Sequence, residues 1–162
     1  MQIIAGKEIT ILVVEDSEAE QRLMLEAFKT AGITSGLVYV TDGEDALMYV
    51  RAQGKYAGHI TPDLIFLDLS LPKISGLDVL REIKSTPDLM YIPIVVASGT
   101  DDPEIIRRVY ALNGNCFIRK PNELGQFLRF IEMCYEFWGN VVTLSPKVIR
   151  GKNDNAISTS IV

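Results

Sequence analysis

The chain has 162 residues, 48% of them hydrophobic and 23% charged, with a formal net charge of −5. Those values fit one soluble domain with a real core. Scattered Lys and Arg form no basic stripe, which argues against a nucleic-acid surface, and no apolar stretch reaches the roughly 20 residues of a membrane span. The start, Met1-Gln2-Ile3-Ile4-Ala5-Gly6-Lys7, lacks the long apolar middle and small-residue cleavage site of a signal peptide, so a cytoplasmic location is expected.

Strand and helix signals alternate five times along the chain. Ile9 to Val14 is a continuous apolar run, as expected for a strand buried on both faces. Asp16-Ser17 can cap a helix from about Glu18 to Ala31, with Leu23, Ala27 and Phe28 inward and Gly32 ending it. Leu37 to Val40 is a short strand. Thr41 and Asp42 offer caps to a helix through about Gln53, with Ala46, Leu47 and Val50 inward and Gly54 as its stop. Leu64 to Leu67 is the third strand, and Gly76 to Ser85 a helix with Leu77, Leu80 and Ile83 as its stripe. Ile94 to Ala97 is the fourth strand. Asp102 and Pro103 suit the start of a helix through Leu112. Cys116 to Ile118 is the fifth strand, a last helix runs from about Asn122 towards Val142, and residues 151–162 are expected to form a flexible tail. This alternation predicts a parallel sheet covered on both faces.

Cys116 and Cys134 lie outside any CxxC pair, and His59 is the single histidine, too few soft ligands for a zinc site. Two buried free thiols are expected, in a core strand and a helix. His59, in a Gly- and Pro-bounded loop, is expected to face solvent.

Ligands of an open parallel α/β sheet gather at the carboxyl ends of its strands. Glu15 and Asp16 follow the first strand, Asp68 ends the third, Ser98 ends the fourth and Lys120 follows the fifth. Crowded carboxylates repel, and a hard divalent cation such as Mg²⁺ relieves this. A carboxylate can also accept a phosphoryl group, in a transfer governed by positioning and charge neutralisation. Lys120 and Mg²⁺ would neutralise phosphoryl oxygens, and the Ser98 hydroxyl would donate to another. Singly, each residue has a plainer account. Glu15-Asp16 could cap a helix, Ser98 could be a loop hydroxyl, and Lys120 a solvated lysine. Asp68 resists such an account, because acids are depleted in strands. The joint arrangement points to one phosphoryl-transfer site.

The motifs Val13-Val14-Glu15-Asp16, Pro62 to Asp68, Leu71-Pro72 with Gly76, Pro93 to Ser98 and Lys120-Pro121 resemble the response-regulator receiver domain of two-component signalling, over about Ile9 to Val142. The resemblance implies a flavodoxin-like (βα)5 three-layer sandwich with a five-stranded parallel sheet of order 2-1-3-4-5. Residues 1–150 would form the single domain, including an extended last helix over about 122–142. Asp68 would accept phosphate from a histidine kinase. Glu15, Asp16 and Asp68 would bind Mg²⁺ together with the Ser70 backbone carbonyl, while Ser98 and Lys120 would read the phosphoryl group. Phe117 occupies the family's aromatic switch position, with plain core packing as the equal alternative. In the family the hydroxyl moves towards the phosphate, the ring turns inward, and the surface of helix four, strand five and helix five repacks. The resemblance thus implies a signalling protein rather than an enzyme, one that assists its own Mg²⁺-dependent phosphorylation and dephosphorylation.

Gly54-Lys55-Tyr56, Lys84 to Leu89 and Phe137 to Leu144 are similar to the stand-alone regulators paired with bacterial and cyanobacterial phytochromes. A phytochrome-type sensor kinase is the implied partner. Ala97-Ser98-Gly99-Thr100 departs from the subgroup's usual Thr- and Ser-rich run. Ser98 keeps the hydroxyl, and Gly99 alters the loop around the phosphate. Ser70 and Thr100 stand where the family tunes dephosphorylation, which leaves the phosphate lifetime open.

The last helix is more apolar than one buried face requires. Leu124, Phe127, Leu128, Ile131, Tyr135 and Trp138 are expected to face the sheet, and Phe130, Met133 and Phe137 form a second stripe. Such a stripe predicts either a homodimer through this helix or a C-terminal segment folded back over it, and the homodimer is preferred. No DNA-binding or enzymatic output segment is recognisable, so output through a downstream protein or onward phosphotransfer is expected. Two other readings compete. A haloacid-dehalogenase-like phosphatase uses similar residues, but its Asp nucleophile comes first in the chain and a second Asp follows two residues later, where Ser70 stands here. A receiver-shaped dimerisation scaffold that no longer signals is opposed by the complete residue set.

Overall fold

β1 (Ile11–Val14), β3 (Leu64–Leu67) and β4 (Ile94–Ser98) are buried along their whole length. Apolar runs without polar alternation suit strands that are covered on both faces. In the computed structural model, which describes residues 8–33 and 36–147, β2 (Leu37–Val40) and β5 (Cys116–Arg119) flank them. The sheet is parallel, in the expected order β2-β1-β3-β4-β5.

Side chains alternate across the sheet and build two apolar layers. Leu12, Val14, Ile65, Leu67, Ile94 and Val96 meet α2 (Gly43–Val50), α3 (Gly76–Ser85) and α4 (Pro103–Ala111). Ile11, Val13, Leu64, Phe66 and Val95 meet α1 (Glu18–Thr30) and α5 (Leu124–Tyr135). Ser17, Asp42, Ser75 and Asp102 each accept a backbone N–H of the first turn they precede, satisfying donors that a helix start leaves free.

Several expected boundaries move. α2 ends at Val50, before Gly54. Ala52 takes the left-handed conformation at φ 51°, its N–H bonds the Tyr49 carbonyl at 3.0 Å, and the Gln53 N–H bonds that of Met48 at 2.9 Å. This is a Schellman closure with alanine where glycine is usual. The last helix starts at Leu124 and is α-helical only to Tyr135; Glu136–Val141 is π-helical. Leu124 is 55% exposed in the first turn, contrary to the expected inward position, and the buried stripe is Phe127, Ile131 and Cys134. Phe130 of the expected outer stripe instead packs edge-on against Phe66 and Phe127, with ring centroids 6.1 and 5.9 Å apart. Met133 and Phe137 remain exposed.

The chain then folds back. Leu144 packs against the α1–α5 layer, and Lys147 pairs with the buried Asp63 at 3.0 Å, at the amino edge of the sheet. The expected tail, 151–162, lies outside the described residues, as does Met1–Lys7. Both cysteines are free; Cys134 is buried, while Cys116 on edge strand β5 is only partly so. His59 is exposed, with its ring edge-on to Tyr49 and Tyr56. Among the described residues, no helix is long and apolar enough to cross a membrane.

Lys84, in the last turn of α3, ties three segments together. Its ammonium donates to the Met90 and Ile92 carbonyls at 3.1 and 2.8 Å and to Asn115 Oδ1 at 2.9 Å. Asn115 in turn pairs with both backbone groups of Ile94, at 2.9 and 3.1 Å. Lys84→Met is expected to cost about 1–3 kcal/mol in urea unfolding, since it leaves polar acceptors without a donor. Burial pushes the Lys84 ammonium down from 10.5 to about 8. The unfolded chain therefore binds this proton more tightly, and the contribution of Lys84 to stability grows as pH rises between those values. The stability gap between wild type and variant should widen between about pH 8 and pH 10.

Candidate functional site

The strands finish level at their carboxyl ends. Val14 pairs with Val40 and Leu67, Leu67 pairs with Val96, and Ser98 pairs with Arg119. Hydrogen bonding then continues one residue further, into the site itself. The Glu15 N–H donates to the Val40 carbonyl at 3.1 Å, Asp68 N–H to Val14 at 3.0 Å, and Lys120 N–H to Ser98 at 2.8 Å. The backbone of each of these residues is thus fixed by the neighbouring strand, whatever the side-chain charges prefer.

Around this edge, carboxylate oxygens of Glu15, Asp16 and Asp68 lie within 4.8 Å of one another. Glu15, Asp68 and Ser98 are buried, while Asp16 is exposed. The Lys120 ammonium is 2.6 Å from Glu15 Oε2, 3.4 Å from Asp68 Oδ2, and hydrogen-bonded to Glu20. Burial pushes the Glu15 carboxyl up to about 7, against the opposing pull of its hydrogen bond from Lys120. Burial pushes the Glu20 carboxyl up, but its interactions with Lys120 and Glu15 prevail and hold it below its ordinary value. Burial also opposes the Lys120 charge, but its bonds to Glu15 and Glu20 prevail and raise its pKa. One ammonium is therefore shared among several acids, and the most deeply placed of them, Glu15, bears the desolvation cost.

Three hard, convergent oxygen donors with one exposed member suit an oxygen-seeking divalent cation. Thus every charged residue selected from the sequence for this site meets the others at one edge. Ser98 lies at the same edge, and its Oγ accepts the Thr100 N–H at 3.3 Å. Ser70 is exposed, with its N–H 3.4 Å from Asp68 Oδ1. Phe117 is half-buried against the α2–α3–α4 layer, and its N–H donates to the Tyr110 hydroxyl at 3.1 Å.

Two features are not apparent from the sequence. Glu20 reaches the site from the first turn of α1; its only sequence signal is the Ser17-Glu18-Ala19-Glu20 capping pattern. The second is the support of the loop after Asp68. A Cβ on Gly76 would lie 2.2 Å from the Asp68 carbonyl oxygen, and one on Gly43 would lie 2.1 Å from that of Ile74. Lys73, left-handed at φ 64°, pairs across this contact with Asp42 at 3.0 Å and Glu44 at 3.3 Å.

Response regulator receiver domain is the family whose model matches residues 11–132, most of the chain. The chain belongs to this family. Response regulator Rcp1 of Synechocystis sp. is 40% identical to this receiver over 134 residues, covering 83% of this chain and 91% of Rcp1. The crystal structure of the phosphorylated cyanobacterial phytochrome response regulator RcpA matches with a TM-score of 0.82 at 41% identity, over 86% of this chain and 100% of that one. The Mn²⁺-bound form of Rcp1 matches with a TM-score of 0.81 at 38% identity, over the same shares. The protein is accordingly a receiver-domain response regulator related to phytochrome response regulators, a signalling protein rather than a conventional enzyme. Its family membership overturns the phosphatase alternative.

Gly76→Ala should force the backbone at Asp68 and Leu69 to shift, costing about 1–3 kcal/mol in thermal unfolding. A Cβ on the exposed Gly99 would meet no atom within 4 Å, so Gly99→Ala is the control that should change stability little.

Proposed function

We propose that Asp68 accepts a phosphoryl group from a sensor histidine kinase of phytochrome type, within a cytoplasmic signalling pathway. The observation that supports this best is the convergence of the Glu15, Asp16 and Asp68 carboxylates beside the Lys120 ammonium. An Asp68 carboxylate oxygen forms the new bond to phosphorus as the bond to the donor histidine nitrogen breaks. Lys120 balances charge on the phosphoryl oxygens, and the Ser98 hydroxyl donates to one of them. Glu15, Asp16 and Asp68, with the Ser70 backbone carbonyl, would hold Mg²⁺. When bound, such a cation supplies further neutralisation of the transferring group. RcpA in its phosphorylated form and Rcp1 in its Mn²⁺-bound form are relatives consistent with this reading.

Phosphorylation would be reported by Ser98 and Phe117. The hydroxyl moves towards the phosphate, the half-buried ring turns inward, and the α4–β5–α5 surface repacks for a downstream protein or onward phosphotransfer. Incubation with a phosphorylated phytochrome-type kinase should label wild type in the presence of Mg²⁺ and leave Asp68→Asn unlabelled. Label persisting in the variant would move the acceptor elsewhere. An unlabelled wild type, with acetyl phosphate as well, would favour the non-signalling scaffold.

We also propose a homodimer through the last helix. Phe130, Met133 and Phe137 motivate this from sequence; the exposed members are Met133 at 61%, Phe137 at 50% and, beyond them, Val141 at 67%. An apolar groove of about 820 Å³ runs beside them between β5 and α5, lined by Cys116, Ile118, Phe130 and Trp138 among others. Exposed apolar area of this kind is typical of interfaces. Met133→Glu should sediment as a monomer where wild type sediments as a dimer; an unchanged mass overturns the dimer. Phe130 is the poorer probe, because its ring also packs on Phe66.

A further inference from the structure

We infer that Glu20 is a positioning residue that holds Lys120 back from Asp68 and thereby slows phosphorylation. The inference rests on the reading of Asp68 as the phosphoryl acceptor. Ser17 and Glu20 have the spacing of a capping box, and the Ser17 Oγ accepts the Glu20 N–H at 3.4 Å. In the complete motif the glutamate would return to the N–H of the capping residue. Here that N–H donates to Glu15 Oε1 at 3.0 Å. Glu20 is thus released from capping, and its carboxylate crosses to Lys120.

Lys120 consequently directs its hydrogen bonds towards Glu15, just past β1, and Glu20 in α1. It donates to Glu15 and Glu20, whereas its contact with Asp68 is an ion pair at 3.4 Å. Two of its three N–H groups are thus committed to Glu15 and Glu20, and drawing the ammonium in to a phosphoryl group on Asp68 works against the bond to Glu20. Glu15 and Glu20 are not equivalent competitors. Glu15 belongs to the convergent carboxylate set that suits a cation; Glu20 lies outside that set and answers to Lys120. It also adds a negative charge beside the acceptor, where an anionic donor must approach.

Glu20 is accessible to substitution without opening the core, since its side chain is 42% exposed. Glutamine keeps the size and suits the same helix position. The experiment compares Mg²⁺-dependent phosphorylation of full-length wild type and Glu20→Gln by acetyl phosphate and by phosphoramidate, a donor of lower negative charge. The variant should react about two- to fivefold faster with both donors, the size of an exposed ion pair removed. Its thermal midpoint should stay at the wild-type value. An unchanged or slower rate in the variant, with wild type labelled normally, overturns the inference alone. A rise confined to acetyl phosphate also overturns it, because charge repulsion of the donor would then account for the effect without Lys120. Wild type unlabelled by either donor overturns the acceptor reading and this inference together.

Discussion

Acidic side chains crowd around a single ammonium at the carboxyl edge of the sheet, and this crowding is the constraint to which the rest of the molecule answers. Glu15, Glu20 and Asp68 pair with Lys120, and Asp16 converges with Glu15 and Asp68. Left to themselves, like charges at such spacing separate or take up protons. They cannot separate here, because the backbone N–H groups of Glu15, Asp68 and Lys120 are hydrogen-bonded to adjacent strands one residue beyond the ladder. What holds those strands in turn is burial on two faces: β1, β3 and β4 carry no exposed residue. Hydrophobic layers several residues away therefore maintain an electrostatic arrangement that is unfavourable on its own. That stored repulsion is available to bind a cation.

The loop after Asp68 is held by a similar device. Its end is pressed against the Asp68 carbonyl by Gly76, and Ile74 is pressed against Gly43. Both glycines are the first residues of helices, where a missing side chain lets helix and loop backbones touch. Lys73 accepts a left-handed backbone and spans the same contact to Asp42 and Glu44. Asp68 is thus fixed from the strand side by hydrogen bonds and from the loop side by close packing. Positioning of this kind is what phosphoryl transfer asks of a protein.

Much of this was legible in the sequence because the governing patterns are local. An unbroken apolar run ending in Asp68 or Ser98 reads as a buried strand surfacing at a site. Chain order then sets which residues share an edge. Features that depend on three-dimensional competition were hidden. Gly54 looked like the stop of α2, yet the closure falls on Ala52, where only the returning hydrogen bonds reveal it. Leu124 fits a helical stripe by spacing but lies in the first turn, beyond the sheet that would cover it. Phe130 fits the outer stripe, yet an aromatic ring is long enough to turn back onto Phe66. Glu20 carried a capping signal, and its actual partner depends on Glu15 having taken the capping N–H first.

Lys120 also joins the site to the C-terminal helix along the chain. Lys120 lies between the end of β5 at Arg119 and the start of α5 at Leu124. Only three residues, Pro121 to Glu123, separate Lys120 from the amino end of that helix. α5 packs along α1, the helix that carries Glu20, so the Lys120–Glu20 bond joins α1 to the connection that leads into its neighbour α5. The far end of α5 changes from α to π geometry at Glu136, between Met133 and Phe137. π-helical turns inside α-helices are uncommon and concentrate at functional places, since they need compensation from the surroundings. Here the compensation comes from Trp138 and Leu144, which pack back onto the layer and leave Met133 and Phe137 facing outward. A helix that begins close to the carboxylate cluster and presents exposed apolar side chains at its far end is suited to couple the charge state of Asp68 to a partner surface.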